Sequence, residues 1–257
     1  MTLQNKIDYS ITLLQKYETL ALKLSDKGFH LAFSGGKDSQ VIYKLAQMAG
    51  VKFQAYFYKT SVDSNILLKF IKTNYSDVIW LYPKKTMFQL IIEKKTLPTR
   101  KARFCCDYLK ERNGLNELVV LGIRKAESNK RKARKEFTED CKLGGTQMLL
   151  SPILDWTDKE VFKFLNDQKI SLCELYNTQK RIGCIGCPMN SKNWKELNLF
   201  PKHKRAYINT AQKVIDLFPD SALAKHFGTG QNAYDWWVSG MGIKKWKSYK
   251  ECEINFN

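Results

Sequence analysis

Apolar residues recur along this chain at two alternating spacings, one typical of helices and one typical of strands. Ile7, Leu14 and Leu24 belong to a stripe at helical spacing through residues 5–24, with polar residues between them. The next segment, Phe29–Phe33, is a short apolar run and predicts a strand. The alternation continues to residue 155 and predicts a parallel α/β sheet. The other elements predicted in this part are strands at 51–58, 78–82, 118–123 and 148–153 and helices at 40–49, 63–73 and 86–94.

The first predicted strand ends in a turn with two consecutive glycines. Its sequence is Ser34-Gly35-Gly36-Lys37-Asp38-Ser39, and a helical pattern follows directly. Glycines let the backbone approach a ligand closely, the N–H groups at a helix N-terminus attract anions, and Lys37 adds a positive charge. Parallel sheets also bind ligands at the carboxyl ends of their strands. The turn is therefore predicted to bind phosphate; the alternative is an ordinary Gly-Gly turn before a helix.

Beyond Trp156 the pattern becomes helical. Thr157 and Glu160 have the spacing of a capping box, at the start of a helix predicted to end near residue 168. Helical patterns also cover residues 193–199 and 203–217. The remaining residues are rich in aromatic and basic side chains. Three aromatic residues there are predicted either to stack on nucleic-acid bases or, for at least one tryptophan, to lie in a core: Tyr234, Trp236 and Trp237.

The charge balance of the chain points to an anionic partner. The 257 residues include 43 Lys and Arg against 25 Asp and Glu, which gives a formal net charge of +18. This excess favours nucleic acid or a highly phosphorylated small molecule, although a lysine-rich coding bias would produce it too. No apolar run reaches the roughly 18 residues of a membrane span, and the N-terminus lacks the apolar centre of a signal peptide. These features predict a cytoplasmic protein with no membrane partner.

Four of the seven cysteines form two pairs. Cys105 and Cys106 are adjacent, and Cys184 and Cys187 form a C-x-x-C motif. In a cytoplasmic chain such thiols suggest metal or redox chemistry rather than disulfides. Two pairs can close a site for zinc or for an iron–sulfur cluster. Adjacent cysteines reach a single zinc ion only with strain, so a [4Fe–4S] cluster is favoured, with zinc and unrelated buried thiols as alternatives.

Three segments resemble known nucleotide-binding families. The turn resembles the pyrophosphate-binding loop of the N-type ATP pyrophosphatases. Residues 122–131 are similar to the Gly-x-Arg-x-x-Glu-Ser-x-x-Arg segment of PAPS (3′-phosphoadenylylsulfate) reductase relatives, and residues 152–157 to the Pro-Ile-x-x-Trp segment of the same family. The resemblance implies a Rossmann-like parallel sheet flanked by helices, of the adenine nucleotide alpha-hydrolase type, at residues 1–190, and a helical, basic C-terminal extension at residues 191–257.

The same resemblance implies a set of site residues. The nucleotide is expected to contact Ser34, Gly35, Gly36, Lys37, Asp38, Ser39, Gly122, Arg124 and Arg131. Lys37 and Asp38 are the expected catalytic residues, with Asp38 helping to position Mg²⁺. For the two arginines, the alternative is a solvated basic face, since Lys125, Lys130, Lys132, Arg134 and Lys135 lie nearby. This basic run is also a candidate for a flexible flap.

The cysteine pattern resembles the cluster site of the assimilatory adenylylsulfate reductases and of the ATP-pyrophosphatase component of bacterial DNA phosphorothioation systems. It implies a [4Fe–4S] cluster held by Cys105, Cys106, Cys184 and Cys187. Because the glycine loop is intact, the first hypothesis is an enzyme that uses ATP to adenylate an acceptor. The acceptor is expected to be DNA or RNA, and sulfur would then replace the activated group. A cysteine desulfurase would supply that sulfur.

Two other functions remain open. Residues 248–255 resemble the C-terminal tail of the sulfonucleotide reductases, whose cysteine attacks adenylylsulfate or PAPS before a thioredoxin-type donor releases sulfite. Cys252 would be that nucleophile, although Glu253 and Asn255 replace the glycine and histidine of the family tail. The third possibility is a nucleic-acid-binding module without catalysis. The intact glycine loop argues against it, because a binding module has no need of Lys37 and Asp38 at that place.

Overall fold

The structure is a computed structural model that describes the backbone of residues 1–142 and 145–255. Side chains are described for these residues except 130, 140–142, 145 and 252–255. The strands are β1 (Phe29–Ala32), β2 (Phe53–Tyr58), β3 (Ile79–Leu81), β4 (Leu118–Val120), β5 (Phe137–Lys142) and β6 (Gly145–Leu150). The helices are α1 (Leu3–Leu24), α2 (Lys37–Ala49), α3 (Asn65–Asn74), α4 (Met87–Lys94), α5 (Phe104–Cys106), α6 (Asn129–Lys132), α7 (Asp158–Asp167), α8 (Asn193–Leu199), α9 (Pro201–Leu217), α10 (Ala222–Phe227), α11 (Gly230–Ser239) and α12 (Ile243–Asn255).

The strands form one sheet in the order β3-β2-β1-β4-β6-β5. All neighbouring pairs are parallel except β5 and β6. The chain builds β1, β2 and β3 toward one edge and then returns to place β4 on the other side of β1. The strand order therefore reverses between β1 and β4, and the crevice at the carboxyl ends of these two strands is where open α/β sheets bind ligands.

The predicted Rossmann-like α/β sheet flanked by helices is confirmed, but the sheet is not wholly parallel. Part of the basic run, a candidate flap from its sequence, forms the short helix α6, and the chain then enters β5, an edge strand antiparallel to β6. The sequence pattern of β5, Phe-Thr-Glu-Asp-Cys-Lys, has few apolar residues and carries no strand signal. Antiparallel edge strands of this kind need only one covered face, so a strongly apolar run is not required.

The chain divides into two compact units that are each discontinuous in sequence. The first comprises Met1–Lys59, Asn65–Tyr82 and Arg112–Gly183, and it contains the whole sheet. The second comprises Thr60–Ser64, Pro83–Glu111 and Cys184–Asn257. These units are defined by contacts in space, whereas the predicted boundary at residue 190 follows chain order; that boundary stays a prediction.

In the first unit, α1 packs on α2, the helix that begins at the glycine turn. Leu14 of α1 and Ile42 and Leu45 of α2 are fully buried, as is Leu31 of β1. Thr157 and Glu160 form the predicted capping box at the start of α7, with the Thr157 side chain accepting from the Glu160 N–H. This cap fixes where α7 begins and so places its first residue, Asp158.

The second unit has an aromatic core of its own. Tyr207, Tyr234 and Trp237 are buried among the side chains of α8 to α11, and the Tyr207 and Trp237 rings pack 4.7 Å apart. Tyr234 and Trp237 are therefore core residues, which corrects the alternative that they stack on bases. Trp236 is half-buried and donates its indole N–H to the Met241 carbonyl. Among the described residues, no helix is both long and apolar enough to cross a membrane.

Candidate active site and thiol group

The glycine turn leads from β1 directly into α2. Gly35 has a φ of +71°, and a Cβ there would lie 2.7 Å from Leu67 and 2.8 Å from Ile71, so both its backbone angle and its surroundings require glycine. Gly36 is the N-cap of α2 and has no side chain with which to cap it. Ser39 instead ties the turn together, because its hydroxyl donates to the Gly36 carbonyl at 2.8 Å. The result is a tight turn at the N-terminus of a buried helix.

Four charged side chains converge beside this turn. Lys37 Nζ lies 2.9 Å from Asp38 Oδ2 and 3.3 Å from Asp158 Oδ1. The Arg124 side chain is only 1% exposed; its Nε donates to Asp38 at 2.7 Å and its Nη2 to Asp158 at 2.8 Å. Two cations and two carboxylates therefore alternate in one network. Burying an arginine costs free energy unless the group is paired, and here both carboxylates pair with it.

Asp158 is the member of this network that the sequence did not reveal. It is the first residue of α7, and its side chain is 67% exposed. Burial acts to raise the pKa of this carboxyl, but Lys37 and Arg124 outweigh that effect and hold the pKa below its usual value. The sequence feature that could have pointed to Asp158 is its position directly after the predicted N-cap Thr157, where an acidic residue favours a helix start. Only the fold shows that this position faces Lys37.

Gly122 lies against the glycine turn, whereas Arg131 pairs with a residue of its own segment. A Cβ on Gly122 would approach the Asp38 backbone to 2.9 Å, so this glycine allows the chain after β4 to pass close to the turn. Arg131 instead forms an ion pair with Glu127. Glu127 in turn accepts from the Arg124 N–H at 3.1 Å. The roles of Gly122, Arg124 and Arg131 as nucleotide ligands stay predictions.

A tyrosine reaches the glycine turn from a distant part of the same unit. The backbone N–H of Lys37 donates to the hydroxyl of Tyr176 at 2.8 Å. Burial raises the pKa of Tyr176 to about 12, so the hydroxyl is protonated and neutral near neutral pH. Next to it is a cavity of about 560 Å³, a size typical of small-ligand sites. Its lining residues are Lys37, Asp158, Phe162, Leu172, Tyr176, Asn177, Thr178, Gln179 and Lys180.

The predicted cysteine ligands all belong to the second unit. Cys105 and Cys106 share a hydrogen bond, which lowers the pKa of Cys106 and raises that of Cys105. Attraction to the Cys184 sulfur raises the pKa of Lys110, and burial raises the pKa of the Cys187 thiol. The thiols of both pairs therefore lie close enough to influence one another. No disulfide joins these four described cysteines.

Three buried partners fix the loop that carries Cys184 and Cys187. The Ile185 N–H donates to the Val62 carbonyl at 2.8 Å, and the Tyr207 hydroxyl donates to the Ile185 carbonyl at 3.0 Å. The Gly186 N–H donates to Glu196 at 3.1 Å. Gly186 has a φ of +75°, and a Cβ there would lie 2.9 Å from Tyr207. These backbone hydrogen bonds, together with the positive φ of Gly186, hold the loop in its shape.

The thiol geometry does not by itself form a metal centre. Within the part of the chain whose side chains are described, no group of three or more His, Cys, Asp or Glu residues is arranged to hold a metal ion. The donor chemistry, four sulfur atoms in two pairs within one unit, is of the kind that iron–sulfur clusters require. Cys252, the other predicted functional cysteine, has its backbone in α12, and its side chain lies outside the described residues.

The part of the chain that contains most of these elements matches the model of a known protein family. Residues 28–190, more than half of the chain, match the model of the phosphoadenosine phosphosulfate reductase domain family. The chain belongs to this family. The match begins just before β1 and includes the glycine turn, Arg124, Asp158 and all four predicted cysteine ligands. The membership that the motifs implied is therefore confirmed.

Two curated proteins are similar to this family member over most of its length. An uncharacterized protein of Methanocaldococcus jannaschii is 26% identical over 220 residues, which is 79% of this chain and 52% of the relative. A probable FAD synthase of Schizosaccharomyces pombe is 25% identical over 187 residues, 68% of this chain and 64% of the relative. The chain thus spans between half and two thirds of the length of these relatives.

A solved structure with the same fold is the FMN adenylyltransferase of Candida glabrata, in complex with FAD and inorganic pyrophosphate. It has a TM-score of 0.53 and 17% identity, and the match covers 72% of this chain and 63% of that one. At this identity the likeness concerns the fold alone.

Proposed function

We propose that this PAPS reductase family member cleaves ATP between its α- and β-phosphates and transfers AMP to an acceptor. An acceptor oxygen would attack the α-phosphorus, the bond to the β-phosphate oxygen would break, and pyrophosphate would leave. The observation that carries this proposal is the pairing of a glycine turn at a helix N-terminus with two buried cations, Lys37 and Arg124, at the strand-order reversal. Such a site stabilises phosphate charge and needs little acid–base chemistry.

The loop residues have distinct roles in this proposal. Ser34, Gly35, Gly36 and Ser39 would hold the departing pyrophosphate through the turn and the N-terminus of α2, with the Lys37 ammonium opposite its charge. Arg124 acts through Asp38, whose carboxylate it orients. The donor set suits Mg²⁺, since each oxygen of Asp38 has one protein partner and retains a second lone pair. When bound, Mg²⁺ would neutralise phosphate charge.

The acceptor is proposed to be a nucleic acid that is then modified with sulfur. The net charge of +18 favours an acceptor with many phosphates, bound with strong salt dependence. Adenylation would convert an acceptor oxygen into a good leaving group. A persulfide formed by a separate cysteine desulfurase would attack the activated atom as AMP leaves, and a thiol reductant would then cleave the S–S bond, being oxidised to a disulfide, and leave the sulfur on the acceptor. FMN is the small-molecule alternative, because one relative is a probable FAD synthase.

We further propose that Cys105, Cys106, Cys184 and Cys187 bind a [4Fe–4S] cluster. The support is chemical: four thiols in two pairs share one unit, and Arg103 and Lys110 place positive charge beside them, which favours thiolate ligands. Iron and labile sulfide in protein purified without oxygen test this point directly. About four of each per chain is expected, whereas zinc or no metal would contradict it.

The adenylation proposal is tested by incubating the anaerobically purified protein with ATP labelled at the α-phosphate. Parallel reactions contain DNA, RNA, FMN or no acceptor. Pyrophosphate release together with transfer of label to one acceptor is the expected result. Binding of DNA or RNA without any cleavage of ATP would contradict the proposal and favour a nucleic-acid-binding module.

A sulfonucleotide reductase is the second candidate, because the family that matches residues 28–190 is named for that reaction. Cys252 would attack the sulfur of adenylylsulfate or PAPS and release AMP or its 3′-phosphate, and a thioredoxin-type dithiol would then reduce the adduct to free sulfite. Sulfite release that is lost in Cys252→Ser, with ATP untouched in both proteins, would establish this function. A Cys252→Ser variant that still cleaves ATP at the normal rate fits adenylation.

A further inference from the structure

The anion-binding groups of the glycine turn already have partners within the first unit. The Lys37 ammonium contacts the carboxylates of Asp38 and Asp158. The Lys37 backbone N–H, at the first position of α2, donates to the Tyr176 hydroxyl at 2.8 Å. These two groups are the ones that a phosphate at the helix N-terminus would use. Each internal partner is an oxygen atom in the place where a phosphate oxygen would bind.

The Tyr176 hydroxyl is closely fitted to this position. The nearest side-chain atom to a Cβ built on Gly36 is this same hydroxyl, at 3.4 Å, so the oxygen lies beside the N-cap glycine of α2. The tyrosine ring packs against Phe162 at 6.2 Å between ring centroids, which directs the hydroxyl toward α2. Glu174–Asn177, a short 3-10 helix, carries the tyrosine.

We infer that Tyr176 occupies a phosphate position of the glycine turn and is displaced when the polyphosphate of the nucleotide binds. The inference rests on the proposed function and adds to it a residue that sets nucleotide affinity. A hydrogen bond from an N–H to a charged phosphate is about twice as strong as one to a neutral hydroxyl. Phosphate therefore displaces the hydroxyl, but the need to break the bond to Tyr176 reduces the net free energy of phosphate binding.

Displacement of the hydroxyl also changes the neighbouring cavity. Tyr176 and Asn177 both line it, together with Leu172 and Lys180 from the same stretch of chain. Release of the hydroxyl from Lys37 removes one of the bonds that connect this part of the chain to α2, while Gln40 still donates to the Ser171 carbonyl. Nucleotide binding would thus alter the wall of the cavity in which an acceptor group could lie.

The test compares pyrophosphate binding by the wild-type protein, Tyr176→Phe and Tyr43→Phe, measured by calorimetry. Pyrophosphate alone is the probe. Tyr176→Phe keeps the ring and removes the competing oxygen, so its affinity should rise about three- to tenfold, the value of one neutral hydrogen bond. Tyr43 is the matched control. It is a buried tyrosine on α2 whose hydroxyl bonds to Asp77, away from the turn, and its loss should leave the affinity unchanged.

Three other results of the binding measurement would overturn the inference. Weaker binding by Tyr176→Phe would mean that the hydroxyl contacts the phosphate, and unchanged binding would mean that both occupy the turn together. If neither the wild-type protein nor the variant binds pyrophosphate, the proposed function fails as well. Hydrogen exchange of the wild-type protein gives a readout that needs no variant. Pyrophosphate should speed amide exchange in residues 174–177, and slower exchange there would contradict displacement.

Discussion

The glycine turn and the set of four paired cysteines are held in place in different ways. The turn itself is one continuous stretch of sequence at a helix N-terminus, and its Lys37 and Asp38 are paired with each other. Arg124 joins them from a distant segment by its ion pair with Asp38. The thiols come from two segments far apart in the chain, and the loop bearing one pair is fixed by backbone bonds to Val62, Tyr207 and Glu196. Ion pairs connect the charged groups of the first site, and backbone hydrogen bonds hold the cysteine loop of the second. Substitutions of a charged residue at the turn and of one glycine in each site can therefore test the two sites separately.

Loss of the Lys37 ammonium should have the largest effect. In Lys37→Ala, the phosphate charge that develops during ATP cleavage loses the cation carried by the turn itself, and only Arg124 remains in the network. The rate of pyrophosphate release should therefore fall roughly 100- to 1000-fold. Lys163→Ala removes the same charge from an exposed position on α7 and should change the rate less than twofold. Equal losses in the two variants would show that overall charge, and not the turn, drives the reaction.

A matched pair of glycine substitutions tests the two sites against each other. Gly35→Ala and Gly186→Ala each place a Cβ at a positive φ and within 3 Å of another side chain. Each should cost about 1–3 kcal/mol in the folded state. Gly35→Ala should weaken pyrophosphate binding and leave iron per chain intact, and Gly186→Ala should do the reverse. If either variant lost both pyrophosphate binding and iron, the two sites would not be independent and the account would be contradicted.

Asp158→Asn should have the smallest effect of these substitutions. It should strengthen the interaction of the site with phosphate, whereas Lys37→Ala should weaken it. Removing one of the two carboxylates on Lys37 should strengthen pyrophosphate binding about two- to fivefold at low salt. Weaker binding would mean that Asp158 positions Lys37 for the ligand. Calorimetry over a range of salt concentrations distinguishes these outcomes.

The same variant has a predicted pH dependence. Because Lys37 and Arg124 lower the pKa of Asp158, this group stabilises the fold at neutral pH, and that stability is lost as the pH falls through the lowered pKa. The amide that replaces the carboxyl in Asp158→Asn does not titrate. The free energies of unfolding of wild type and variant, measured in urea, should therefore converge as the pH is lowered. A difference that grows on acidification would contradict the ion-pair account.

The parts that sequence predicted are those encoded locally. The strand, the glycines and the start of α2 lie in one stretch, and the Thr157–Glu160 cap is complete within four positions, so both could be recognised from spacing. Tyr176 could not, because it is 139 residues from Lys37 and nothing in its own neighbourhood marks it. Glu196 lies only ten residues from its partner Gly186, but nothing near it in the sequence marks it as a ligand of that backbone N–H. Strand β5 was missed because an edge strand needs little apolar surface.

Identification of the ATP bond that is cleaved tests the central claim most directly. Anaerobically purified protein is incubated with ATP and the acceptor panel, and the products are followed by phosphorus NMR. The account predicts that the β- and γ-phosphates leave together as pyrophosphate while the α-phosphate remains with adenosine on the acceptor. Release of ADP and inorganic phosphate would contradict it, as would sulfite release from a sulfonucleotide with ATP left intact.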